Sequence, residues 1–195
     1  MRHAALPFAV LCAAALSQTV LSVPSPYATI QGAIVAAQDG DTVIVADGVY
    51  GESINFLGKA ITVRSLRGPD VTTIDAGLLA RVVSFENNEG RGTVLEGFTL
   101  TNGLASGTAG YDSWGGGIRC WYASPTIRRC RIEANHAGTG WAPGGHSGGG
   151  IMTFAGAPWI DACVIACNTA GVSGGAAHFR ELPSPILTNC LIYGN

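Results

Sequence analysis

Side chains able to bind or react gather in a few glycine-rich stretches of the second half of the chain. Tyr111, Asp112 and Trp114 share one stretch, His136, Trp141 and His146 share another, and Trp121 and Tyr122 lie between them. Aromatic rings beside short polar groups suit the apolar faces and hydroxyls of sugars. The same rings could instead fold back and shield backbone that glycine leaves bare. At the level of the residues both uses stay open.

Other chemistries are harder to assemble. A metal site needs three or four converging ligands. His136 and His146 share a stretch, but His178 lies in a third, and Cys163 and Cys167 lack the C-x-x-C spacing. No metal and no cofactor are expected. Inverting glycoside hydrolysis needs two carboxylates about 6.5–9.5 Å apart. Glu86 and Glu96 are the nearest pair flanking a turn, yet Glu86 borders the Asn87-Asn88-Glu89 loop and Glu96 acquires an arginine partner in the register below. The single lysine, Lys59, reads as part of a turn. No catalytic residues are expected.

Repetition fixes what must position these groups. Gly115-Gly116-Gly117-Ile118, Gly148-Gly149-Gly150-Ile151 and Gly174-Gly175-Ala176-Ala177 superimpose. Behind them Pro125, Pro158 and Pro185, then Cys130, Cys163 and Cys190, then Ile132, Ile165 and Ile192, and finally Asn135, Asn168 and Asn195 recur at spacings of 33 and 27 residues. A weaker copy runs from Thr93 to Asn102. Aligned on its asparagine, it puts Val94 in the column of Ile127, Ile160 and Leu187, and Gly97 in the cysteine column. Each unit holds two short strand-like runs and no helical period. The pattern predicts an all-β solenoid whose coils stack as parallel strands.

In this register Asn102, Asn135, Asn168 and Asn195 turn one corner in left-handed conformation and share side-chain hydrogen bonds. Cys130, Cys163 and Cys190 fill the core as small apolar groups. Leu95, Arg128, Asp161 and Thr188 form one outward column, and Glu96, Arg129, Ala162 and Asn189 another, so that opposite charges meet. The excursions after Asn102, Asn135 and Asn168, of 12, 12 and 5 residues, fall on one edge, where solenoids carry their binding loops.

The first third differs. Residues 25–38 carry Ile30, Ala33, Ile34 and Ala37 at helical spacing, a short amphipathic helix that caps the solenoid. Strands are expected at 42–45, 53–56, 60–64, 72–75 and 82–85, between glycine-rich turns. Before them, Arg2 and the uncharged apolar run Ala4–Leu16 read as a secretory signal peptide over residues 1–17. The run is too short to span a membrane as a helix. Residues 18–40 then form a linker and the cap helix, and residues 41–195 the β-helix domain. Its final coil is left open at Asn195, for missing rungs or another chain to meet end to end. With 28 glycines among 195 residues, 11 basic and 13 acidic side chains and a net charge of -2, there is no basic excess for nucleic acid. Five cysteines remain after the leader, none before residue 120, which excludes a disulfide-stapled scaffold.

The run from Val23 to Ser65, VPSPYATIQGAIVAAQDGDTVIVADGVYGESINFLGKAITVRS, resembles the opening of right-handed parallel β-helix proteins of the pectin-lyase-like superfamily. It looks particularly like the start of polysaccharide lyases acting on alginate or chondroitin, and more loosely like pectin methylesterases. The GGGI…N units resemble repeats of bacterial surface and polymorphic outer-membrane proteins. The resemblance implies an exported bacterial protein, secreted or at the cell surface, that meets polysaccharide or cell-surface glycan. A lyase would add a Lys–Arg pair and carboxylate-bound calcium, and no such constellation stands in this chain. The expected role is therefore a carbohydrate-binding or adhesive scaffold. The alternatives are the front part of a carbohydrate-active enzyme whose active rungs lie past residue 195, and a purely structural stalk.

Overall fold

The computed structural model describes residues 18–107, 110–138 and 145–195. The expected leader at residues 1–17 and Trp141 lie outside this range, and Tyr111 is described in its backbone alone. Short β-branched runs pair only with the equivalent run one coil away, always in parallel. The chain is a parallel β-helix.

Four sheets run along its axis. Sheet 1 stacks Val20–Val23, Thr42–Val45, Thr62–Ser65, Val94–Glu96, Thr126–Arg128, Trp159–Asp161 and Ile186–Thr188. Sheet 2 stacks Gly48–Tyr50, Thr72–Asp75, Thr99–Thr101, Arg131–Glu133, Val164–Ala166 and Leu191–Tyr193. Sheet 3 stacks Ile54–Asn55, Val83–Phe85, Ile118–Trp121, Ile151–Phe154 and Ala177–Arg180. A small sheet 4 holds Leu104–Ala105, His136–Ala137 and Thr169–Ala170. The strands at 20–23 and 48–50 and all of sheet 4 fall where the sequence reading placed linker, turn or loop.

Alternation of side chains corrects one offset in that reading. Leu95, not Val94, pairs with Ile127, and Phe98, not Gly97, precedes Cys130 in its column. Leu95 and Phe98 are both fully buried, so the period of two outranks the matching of asparagines. Glu96 then lies opposite Arg128 rather than over Arg129, although it binds both guanidinium groups. Arg128 opposite Asp161 stands as expected. Gly97 belongs instead to a corner column with Arg129, Ala162 and Asn189, all at positive φ between 52° and 79°.

The asparagine corner shifts for the same reason. The left-handed residues are Asn102, Ala134, Cys167 and Gly194, so Asn102 is one position out of the ladder. The ladder consists of Asn135, Asn168 and Asn195. Asn168 Oδ1 accepts from the Asn135 backbone N–H (3.1 Å) and from Asn135 Nδ2 (3.0 Å), and Asn168 Nδ2 donates to Ile132 O (2.8 Å) and Asn195 Oδ1 (2.9 Å). Gly103 occupies the top slot and donates its N–H to Asn135 Oδ1 (2.8 Å). A Cβ there would collide with Gly116 O, so only glycine fits.

The cysteine column is inward, with Cys130 and Cys163 buried and Cys190 half-buried on the last coil. The neighbouring Cys130 thiol, and then burial, push the Cys163 thiol up, so it stays protonated and acts as packing. Burial likewise raises Cys120 and Cys190. The cysteines of the described residues are all free thiols.

The cap is helix α1, Ile30–Ala36, shorter than the expected 25–38. Ile30, Ala33 and Ile34 cover the first coil. Thr29 caps it, accepting from Gly32 N, and Glu52 accepts from the N–H groups of Ile30 and Gln31 (2.9 Å each). At the other end Lys59 Nζ donates to the carbonyls of Ile34, Val35 and Ala37 (2.7–2.8 Å). Among the described residues nothing covers the last coil in this way: Phe179 and Ile192 face the axis yet are 42% and 47% exposed. Among the described residues no helix is long and apolar enough to cross a membrane.

Candidate functional site

The outward face of sheet 3 brings together most of the residues singled out above. Alternation gives it two columns. The first is Asn55, Ser84, Arg119, Met152 and His178, and the second contains Trp121, Phe154 and Arg180, with Glu86 following its strand on the coil before. Two excursions lean over this face, joined where Ser113 Oγ (2.9 Å) and Trp114 Nε1 donate to Gly145 O. The excursions after residues 102 and 135 therefore share one edge.

At the N-terminal end of the face sits a polar row. Arg119 Nε donates to Glu86 at 2.7 Å, and its Nη1 lies 3.5 Å from Asp112. Arg81 lies 3.7 Å from Glu86 and ties down the overlying loop by donating to Asp112 O (2.9 Å). Burial, and then the nearby Arg119, lower the Arg81 pKa. Glu86 is thus an arginine partner on sheet 3 and Glu96 an arginine partner on sheet 1, and the two carboxylates face different sides of the coil. Asp112 is open to solvent, with 77% of its side chain exposed.

The middle of the face is aromatic. Trp121 and Phe154 stack on consecutive coils, centroids 4.3 Å apart and 13° from parallel. The Arg119 guanidinium carbon lies 5.7 Å from the Trp121 centroid. Tyr122 stands nearly perpendicular to both rings, at 77° and 68°, and is 54% exposed. It occupies a left-handed corner at φ 51°, equivalent to Ala155 and Glu181 on the next coils. Trp121 spends ring surface on its neighbours; Tyr122 is the ring that meets solvent.

The remaining candidates divide. Trp114 is 1% exposed, its ring 6.1 Å from His178 and 5.3 Å from the Arg180 guanidinium carbon, so it shields the coil. His146 is also buried, against Gly138 and Gly171. His136 is half-buried on sheet 4, and its Nδ1 lies 2.6 Å from Thr169 Oγ1. The described histidines do not converge, and among the described residues no group of ligands is arranged to hold a metal ion. Lys59 is committed to the carbonyls at the end of α1.

At the C-terminal end lies a constellation that sequence reasoning missed. Ser147 Oγ is 2.9 Å from Ser173 Oγ, and Ser173 Oγ is 3.0 Å from His178 Nδ1. The signal was present as a repeated G-x-S-x-G, at Gly145–Gly149 and Gly171–Gly175, which the glycine repeat concealed. Burial, and then the charge of Arg180, lower the His178 pKa from 6.5, so the imidazole is neutral at pH 7. Comparison with protein-family models, curated proteins and solved structures finds no match to the chain.

Proposed function

We propose that this chain is a glycan-binding scaffold, exported by a bacterium to the cell surface or medium, that uses the outward face of sheet 3. The observation carrying this reading is Tyr122, an exposed ring braced by the Trp121–Phe154 stack beside the Arg119–Glu86–Asp112 row. A sugar ring can lie against Tyr122 while its hydroxyls reach Asp112 and the guanidinium edge. The leader-like residues 1–17 and the resemblance of Val23–Ser65 to pectin-lyase-like proteins support export and a carbohydrate setting.

The ligand class is neutral glycan. Arg119, Arg128, Arg129 and Arg131 each have a carboxylate partner, in Glu86, Glu96 or Asp70, so they offer no free cationic track for a polyanion. Within residues 18–195 a lyase-type Lys–Arg pair would have to use Lys59, and its Nζ is engaged with the end of α1.

Affinity electrophoresis through gels containing neutral or uronic-acid polysaccharides tests this. The chain should be retarded by neutral glycan, and Tyr122→Ala should weaken retention about ten-fold, a loss of about 1.4 kcal/mol. The substitution spares the fold because Ala155 already occupies the same corner one coil on. No retardation by any glycan would favour the structural stalk.

A further inference from the structure

We propose that Ser173 and His178 form a nucleophile–base pair that cleaves carboxylic esters, with ester-linked acyl groups on a glycan as the natural substrate class. The glycan part rests on the binding reading above; the esterase part stands on its own geometry.

The pair is specific to one coil. Residues equivalent to Ser173 and His178 are Ser147 and Met152 on the preceding coil, and Trp114 and Arg119 before that. In this pair of slots, among the described residues, a hydroxyl meets an imidazole on this coil and not on the two before it. With the ring proton on Nε2, His178 Nδ1 accepts the Ser173 hydroxyl at 3.0 Å. The buried Ser147 hydroxyl, 2.9 Å from Ser173 Oγ, fixes the rotamer of Ser173 and can donate to it as its proton leaves. Ser173 and His178 are themselves half-buried and reachable.

The chemistry needs only water as co-reactant. Ser173 Oγ bonds to the acyl carbon while its proton passes to His178 Nδ1. The carbon–oxygen bond to the alcohol breaks, the electron pair stays with the alcohol oxygen, and that oxygen takes the proton from His178. Water then adds to the acyl-serine by the same route, releasing the acid and restoring Ser173.

The test uses a fluorophosphonate probe and p-nitrophenyl acetate on the whole chain, with unfolding curves to show that each variant is folded. Wild type should be labelled on Ser173, located by peptide mass, and should hydrolyse the acetate. Ser173→Ala should abolish both, and His178→Ala should slow both about 100-fold. Ser173→Cys gives a second reading: its alkylation by iodoacetamide near pH 7 should be faster with His178 present than with His178→Ala. Tyr122→Ala should keep the label while weakening glycan retention, so failure of one proposal leaves the other standing. A folded wild type that takes no label, a label that survives Ser173→Ala, or alkylation indifferent to His178 would each overturn the pair.

Discussion

Asn135 and Asn168 put carboxamides where water does not reach, and each is satisfied largely by the coils on either side. Truncating Asn168 to Ala strands the buried Asn135 N–H and removes the acceptor of Asn135 Nδ2, and should cost about 2–4 kcal/mol, read as a lower urea midpoint. His178 titrates below its ordinary 6.5 because burial, and then Arg180, disfavour its charged form. Arg180 on its own strand, Ser173 from the preceding turn and Trp114 from the overlying loop are the described groups that face it, with Met152 on the neighbouring strand. The unfolded chain therefore binds the proton first as pH falls. The His178 contribution is fully present above 6.5 and is lost between 6.5 and its lower folded value. His178→Gln should flatten this part of the stability–pH curve. Asparagine and cysteine columns were legible because residue identity recurs at fixed spacing. Asn102 and Gly97 misled for the same reason: identity suggested a 33-residue offset, whereas alternation and burial require Leu95 beside Ile127. The G-x-S-x-G repeat marked Ser173, but it did not announce that the serine would turn back onto a histidine five residues on.

Helix α1 has only seven residues, too few to hold itself, and is clamped from outside. Glu52 takes the first N–H groups and Lys59 the last carbonyls, each charge at the end of the dipole that favours it. Lys59→Met should lower stability by about 1–3 kcal/mol and open the first coil to amide exchange before the rest. The helix was readable from the spacing of Ile30, Ala33 and Ile34, while its clamps were not, since they come from strands and turns more than twenty residues away. Sheet 4 was illegible because two-residue strands carry no periodicity; they exist because the coils above and below hold them.

As a whole the molecule is a stack closed by α1 at one end, with its polar charges spent on each other along the sides. A binding face built from Tyr122 and paired charges should respond weakly to salt: glycan affinity should change less than about two-fold between roughly 50 and 500 mM salt. A polyanion-binding surface would lose most of its affinity over that range. The measurement closest to the central claim is hydrogen–deuterium exchange of the chain with and without a saturating neutral glycan that retards it. Protection should appear in residues 119–122 and 152–154 and at Asp112, leaving sheets 1 and 2 unchanged. Protection on sheet 1 or 2, with none at residues 119–122, would contradict the assignment of sheet 3 as the glycan face.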